Sequence, residues 1–363
     1  MIYTADGVKY SEAIAVSIDK TSKAGNMLTI EFSAAGSAGS VDSADIVPEV
    51  MIGLYGYDTK DFIINGHDRY DSSGNGVISR SDGDLPKGAY VVGTTHAYFT
   101  TIKDTPGSWS VKTDLSEWAS LISDGTVKRI EIAVLSAVDD ADGEEVAINA
   151  VSRTFDIASN SFDDYFSPIV NVEDGCNNCH DALGITFHTP DYGGKVTVCR
   201  MCHVGLSGGS HLEMQSRSID SYVHAIHSFQ AFDIGTIDFT DPVAALEYEH
   251  HVGFTYPTHG MDCESCHVAG TYNVPDQVKS LPGILSASST VTTEDRAIGD
   301  VPSYVTGPAS RACGGCHRAV LIKEDAASEL VSFFQHTKMG GYLIEAGTDT
   351  LDTVIEEIMA YYE

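Results

Sequence analysis

Eight cysteines stand in four copies of one five-residue pattern: Cys176-Asn-Asn-Cys179-His180, Cys199-Arg-Met-Cys202-His203, Cys263-Glu-Ser-Cys266-His267 and Cys313-Gly-Gly-Cys316-His317. No cysteine is left over. Two thiols at this spacing can form thioether bonds to the vinyl groups of one haem, and the imidazole that follows can then ligate its iron. The pattern implies four covalent c-type haems attached at these eight cysteines, with His180, His203, His267 and His317 as proximal ligands.

Two other chemistries use paired cysteines. Nineteen residues separate Cys179 from Cys199, within the roughly 15–20 residues typical of a zinc ribbon. Tetrahedral zinc, however, has no need of a histidine directly after each second cysteine, and a redox dithiol needs only one pair in a strand-helix-strand setting. All four pairs carry the histidine, which favours haem. Thioether attachment takes place outside the cytoplasm, so the cofactor also implies export via the periplasm.

Twelve of the fourteen histidines follow residue 160. Beyond the four motif histidines these are His188, His211, His224, His227, His250, His251, His259 and His336. A histidine on each side of the iron gives a six-coordinate centre, closed to substrate, which suits electron transfer rather than bond chemistry. The pair His224-Ala-Ile-His227 is the most informative, because imidazoles at i and i+3 of a helix lie about one turn apart and can reach two different irons. Two haems ligated from one turn must lie close together. His224, His227, His188 and His336 form the expected distal set, with His211, His250, His251 and His259 in reserve.

These residues must be positioned by two different kinds of chain. Residues 1–160 contain no cysteine and read as strands: Leu28 to Phe32 and Ile130 to Val134 alternate with period two, as does the run through Phe155 and Ile157. "VMIGLYGY" and "AYVVGTTHAYFT" are further strand-like runs, and Leu115, Trp118 and Ile122 mark one short helix. The expectation is an all-β antiparallel sandwich or barrel over 1–160, serving as scaffold or docking domain. Residues 161–363 have long loops and weak periodicity, as in a haem-packed domain with little regular structure and short helices, closed by an amphipathic helix in "DTLDTVIEEIMAYY". In the first domain, the loop 67–84 gathers Asp68, Asp71, Asn75, Asp82 and Asp84. It is a candidate Ca²⁺ loop, though it lacks the closing Glu of an EF-hand, and a solvated hairpin loop is the better reading. His67 and His96 read as structural or surface histidines.

The chain has 363 residues, enough for two domains, and carries 52 acidic against 21 basic residues for a formal charge of −31. Such a surface repels nucleic acid and anionic membranes and suits cationic or metallic partners. No apolar run is long enough for a transmembrane helix, and "MIYTADGVKYSEAIAV" lacks the features of a signal peptide, so the chain reads as soluble.

The order "CNNCH … CRMCH … HAIH … CHVAGTYNVP … CGGCH … QHTKMGG", preceded by "VMIGLYGYDTKDFI" and "TDLSEWASLISDGTVKRIEIAV", resembles the extracellular multihaem cytochromes of metal-reducing bacteria, the OmcA/MtrC family. That resemblance spans most of the chain and implies one β-plus-haem half of a protein that alternates such domains. It implies electron transfer at the cell surface to metal oxides, soluble metals or flavins. The chain departs from the usual decahaem pattern in carrying four motifs, and it has no cysteine to spare for a lipid anchor. A short acidic tetrahaem chain also fits a cytochrome filament, in which copies of the chain are partners and the haems run from subunit to subunit. The alternative of another class is a multihaem reductase with one open iron acting on a small oxidant such as nitrite, which would bind CO when reduced.

Overall fold

The computed structural model describes residues 4–5, 7–56, 62–64, 66, 68–163, 165, 170–180, 193–203, 263–271, 283–285 and 304–306, with the single positions Ile219, Val223, Thr240 and Pro242. The chain divides into two compact units, Met1–Cys202 with Ser265–Val268, and His203–Glu264 with Ala269–Glu363. The C-terminal amphipathic segment, the fourth Cys-Gly-Gly-Cys-His motif and His67 lie outside the described residues, as do all eight candidate distal histidines.

Nine strands of the first unit form two antiparallel sheets. They are β1 (Ala15–Ala24), β2 (Met27–Ala35), β3 (Val47–Tyr55), β4 (Ala89–Val91), β5 (Phe99–Thr105), β6 (Ser108–Asp114), β7 (Arg129–Ala137), β8 (Val151–Asp156) and β9 (Ser161–Asp163). One sheet has the order β1-β2-β6-β5 and the other β9-β8-β7-β3-β4. Both have open ends, so of the two expected architectures the barrel is not realised among the described residues.

Period-two alternation explains the packing. In β2 the residues Leu28, Ile30 and Phe32 are buried, and in β7 Ile130, Ile132 and Val134 are; with Val50, Ile52 and Leu54 of β3 and Trp109 and Val111 of β6 they join one apolar core. The Phe32 and Trp109 rings stack at 5.6 Å between centroids. Leu115 and Trp118 close one end of this core from the short helical turn Ser116–Trp118, where Asp114 accepts the Ser116 backbone N–H at 2.9 Å. That is the helix expected around Leu115, Trp118 and Ile122, shortened to a turn of 3₁₀ followed by Ala119–Ser123. The run "AYVVGTTHAYFT" is not one strand. Gly93 takes φ +87°, and the chain crosses from β4 in one sheet to β5 in the other. His96 lies at that crossing, its Nδ1 accepting the Tyr98 N–H at 3.1 Å and its Nε2 facing the Pro86 carbonyl at 2.9 Å. Burial lowers its pKa, and rings of Tyr70, Tyr90, Tyr98 and Phe99 surround it, a structural role as the sequence suggests.

The acidic loop folds around its own carboxylates. Asp71 accepts backbone N–H bonds from Gly74, Asn75 and Gly76, and Asp84 from Ser72, Ser73 and Ser79, all between 2.6 and 3.1 Å. Charge-assisted bonds of this kind favour the ionised form, and both pKa values lie below the ordinary carboxylate range, that of Asp71 chiefly through Gly76 and that of Asp84 chiefly through Ser79. Oxygens engaged by amides hold the loop as a hairpin. Asp84→Asn is therefore expected to speed amide hydrogen exchange at Ser72, Ser73 and Ser79 while leaving β2 protected. In the parent the same protection is present above the ordinary aspartate pKa and is lost as pH falls through the lowered value. Unchanged exchange at those three amides would remove the carboxylate from this role.

Candidate functional site

Three of the four motifs fall among the described residues, and each is built on a helical turn. Cys176–Asn178 is 3₁₀; the N–H of Cys179 and the N–H of His180 both reach the Cys176 carbonyl, at 3.1 and 3.0 Å. The second motif begins in the last turn of the helix Val196–Arg200, which contains Cys199, and the Cys202 N–H donates to the Cys199 carbonyl at 3.2 Å. Cys263–Ser265 is again 3₁₀. A helical turn brings residues i and i+3 to the same side, so the backbone sets the two cysteines of each motif near one another with the histidine directly after them.

Among the described residues no three His, Cys, Asp or Glu side chains converge in a group that could hold a metal ion. The six described cysteines form no disulfide. Burial, and after it the charge of Glu49, push the Cys202 thiol up to about 11. A redox dithiol needs the opposite, a thiol lowered toward neutrality.

The first and third motifs meet. Val170 pairs with His267 in an antiparallel bridge, and the Asn171 N–H donates to the Cys266 carbonyl at 2.7 Å. Contact with the Cys266 thiol raises the pKa of Cys176. Gly175 is required here, because a Cβ at this position would collide with the Asn171 carbonyl and crowd Ser265 and Cys266. The upstream turn is stabilised by the Asp174 N–H on Asn171 Oδ1 at 3.1 Å, and Lys9 Nζ donates to the Asn177 carbonyl at 2.9 Å.

The second motif rests on the β-sandwich itself. In β7 the alternate set Glu131, Ala133 and Leu135 points away from the core, yet each is at most 1% exposed. Residues 193–202 cover that face. The Ala150 N–H donates to the Gly193 carbonyl at 2.6 Å, Ala150 and Gly194 form a parallel bridge, and the Ser152 and Thr197 hydroxyls are hydrogen-bonded. Val198 and Met201 are buried, and the Gly66 N–H donates to the Met201 carbonyl at 3.1 Å. Gly66 must be small: a Cβ there would strike Cys202 Sγ and press on Met51. Glu131 accepts from Thr154 Oγ1 at 2.7 Å, and burial pushes its pKa up to about 7 against the lowering effects of Thr154, Ser152 and Arg200. Gly66, Glu131 and the seat of residues 193–202 carry no motif in the sequence. Ala133 and Leu135 on the supposed solvent face were the one local sign that something covers it.

Residues 169–349 match the family model described as outer membrane cytochrome MtrC/MtrF-like, domains II/IV. A search of curated proteins gave no match. Among solved structures, MtrC from Shewanella baltica OS185 aligns at 18% identity over 84% of this chain and 39% of its own, with a TM-score of 0.42. The outer-membrane decahaem cytochrome OmcA aligns at 15% identity over 95% of this chain and 46% of its own, with a TM-score of 0.46. The chain spans less than half the length of either structure. No helix among the described residues is long and apolar enough to cross a membrane. Through residues 169–349, where all eight cysteines lie, the chain belongs to the MtrC/MtrF-like family of outer membrane cytochromes.

Proposed function

We propose that this protein is an electron-transfer cytochrome of the cell surface that holds four covalent c-type haems and passes electrons between them to acceptors outside the cell. The observation that carries the reading is that every cysteine belongs to a Cys-x-x-Cys-His motif inside the segment matched by an outer membrane cytochrome family. His180, His203, His267 and His317 would be the proximal ligands, and His188, His224, His227 and His336 the distal ones. When bound, haem supplies a one-electron iron couple. The chain's own part is to fix each haem covalently, to set its axial ligands and to exclude water around it. Bis-histidine coordination closes the iron to substrate, so the protein is read as a carrier rather than an enzyme. Its acceptors are metal oxides, soluble metals or flavins, and its protein partners are other cytochromes or copies of itself. The β-sandwich is the seat of the second haem as well as a docking surface.

Intact mass and the reduced pyridine haemochrome spectrum test the count. The parent is expected to carry four haems per chain, and each double variant, such as Cys199→Ala with Cys202→Ala, to lose one. A chain without c-type bands overturns the reading. Binding of CO to the reduced protein at full occupancy would instead favour the reductase alternative.

A further inference from the structure

The electron-transfer reading leaves one buried acid without a task. Glu131 lies in the central strand β7, 1% exposed, on the face that receives the second Cys-x-x-Cys-His segment. Its carboxylate accepts from Thr154 Oγ1 at 2.7 Å. The charged and titratable groups around this layer come from each element packed there. Arg200 lies within the motif itself, between Cys199 and Cys202, and its charge acts on Glu131. Arg129, on the same strand, is held by Asp163 at 2.9 Å and Asp156 at 3.8 Å. Asp163 opposes ionisation of Glu131, while Glu49 and Tyr55 belong to the neighbouring strand β3. Burial leaves Tyr55 protonated throughout the working range. A carboxylate in a layer that excludes water is costly unless a positive charge or a proton compensates it.

We propose that Glu131 is the proton-accepting partner of the redox centre attached at Cys199 and Cys202: it takes up one proton when that centre gains an electron and releases it when the electron leaves. The inference rests on the haem reading above. The electron comes from a reduced cytochrome partner and the proton from solvent; the only bond made is the carboxyl O–H, and the added negative charge is cancelled within the layer. An unbalanced charge there would be screened poorly, since the surroundings have a low effective dielectric. Because Glu131 titrates near neutrality, an electron arriving nearby moves its protonation across the working pH.

Redox titration of the holoprotein between about pH 5 and pH 9 reads this directly. In the parent, one potential is expected to fall as pH rises through neutrality, approaching 59 mV per tenfold change in proton activity for a one-electron couple. Glu131→Gln is expected to keep its haem content and lose that slope. Thr154→Val, which removes the donor to the ionised carboxylate, is expected to move the slope to higher pH. The reduced-minus-oxidised infrared spectrum of the parent is expected to show a protonated-carboxyl band that Glu131→Gln lacks. An identical slope in parent and Glu131→Gln, or no carboxyl band, overturns the proposal. If the Cys199/Cys202 peptide lacks the mass of a haem, the reading beneath it fails and the proposal falls with it.

Discussion

Phe32→Ala is expected to destabilise the β unit by about 3–5 kcal/mol, the usual cost of removing a large side chain from a closed core. Phe32 is fully buried in β2, and its ring stacks on Trp109 with an interplanar angle of 19°; an aromatic pair adds about 0.5–1.5 kcal/mol beyond area burial. Against a total of about 5–15 kcal/mol for a typical domain, such a loss removes a large share of the stability. Because the chain comprises two compact units, a single unfolding transition would not isolate this core, and the measurement is hydrogen exchange at the Leu28 and Ile30 amides. Exchange there should accelerate by about two orders of magnitude or more. The control is Ile78→Ala at a position 60% exposed, with an expected effect within about 0.5 kcal/mol. Since the second motif is seated on the outer face of the same sandwich, Phe32→Ala should also loosen the Gly66–Met201 hydrogen bond. Unchanged exchange at Leu28 and Ile30 would contradict the two-sheet core.

The strands that could be read from the sequence are those whose inward residues are all apolar and whose pairing is unbroken. β2 and β7 meet both conditions, and their core residues are the ones that alternation picks out. β1 meets neither. A bulge at Asp19 shifts its phase between Ile18 and Lys20, and its next inward residue is the polar Thr21. β6 hides in the same way, since Trp109 and Val111 are followed inward by Thr113.

Chemistry follows a similar division. The Cys-x-x-Cys-His motifs are legible because each occupies five consecutive residues. The seat of the second motif is not, because Gly66, Ser152 and Glu131 are brought to Cys202 and Thr197 only by the sheet's register and the path of the chain across it. Alternation assigns Glu131 to the face opposite Ile130, which is the wet face of an isolated sandwich. Residues 193–202 make it a dry one. Distal ligands have no local signature at all, since any histidine that reaches the iron will serve.

Raising the pH from about 4.5 to about 7 is expected to weaken the β unit, and Glu131→Gln to abolish that loss. In the unfolded chain the carboxyl titrates at its ordinary value of 4.5; in the folded one burial moves it to about 7, despite the Thr154 hydrogen bond and the Arg200 charge. Between those two values the folded chain binds the proton more tightly than the unfolded chain does, so stability falls as pH rises through this window and is flat on either side. At about 1.36 kcal/mol per unit, the carboxylate costs the folded state roughly 3 kcal/mol above neutrality. Glutamine is neutral throughout, so the variant should match the parent near pH 4 and exceed it by roughly that amount near pH 8, as read from urea midpoints or exchange at β7 amides. His96 works in the opposite sense within part of the same window: its lowered pKa makes the folded state lose stability as pH falls below 6.5. The lowered Asp71 and Asp84 act only in more acidic solution, below 3.8. Each of these groups is common to both proteins, so the difference between parent and variant isolates Glu131. A difference that stays constant from pH 4 to pH 8 would mean that the buried carboxyl is not the group that titrates.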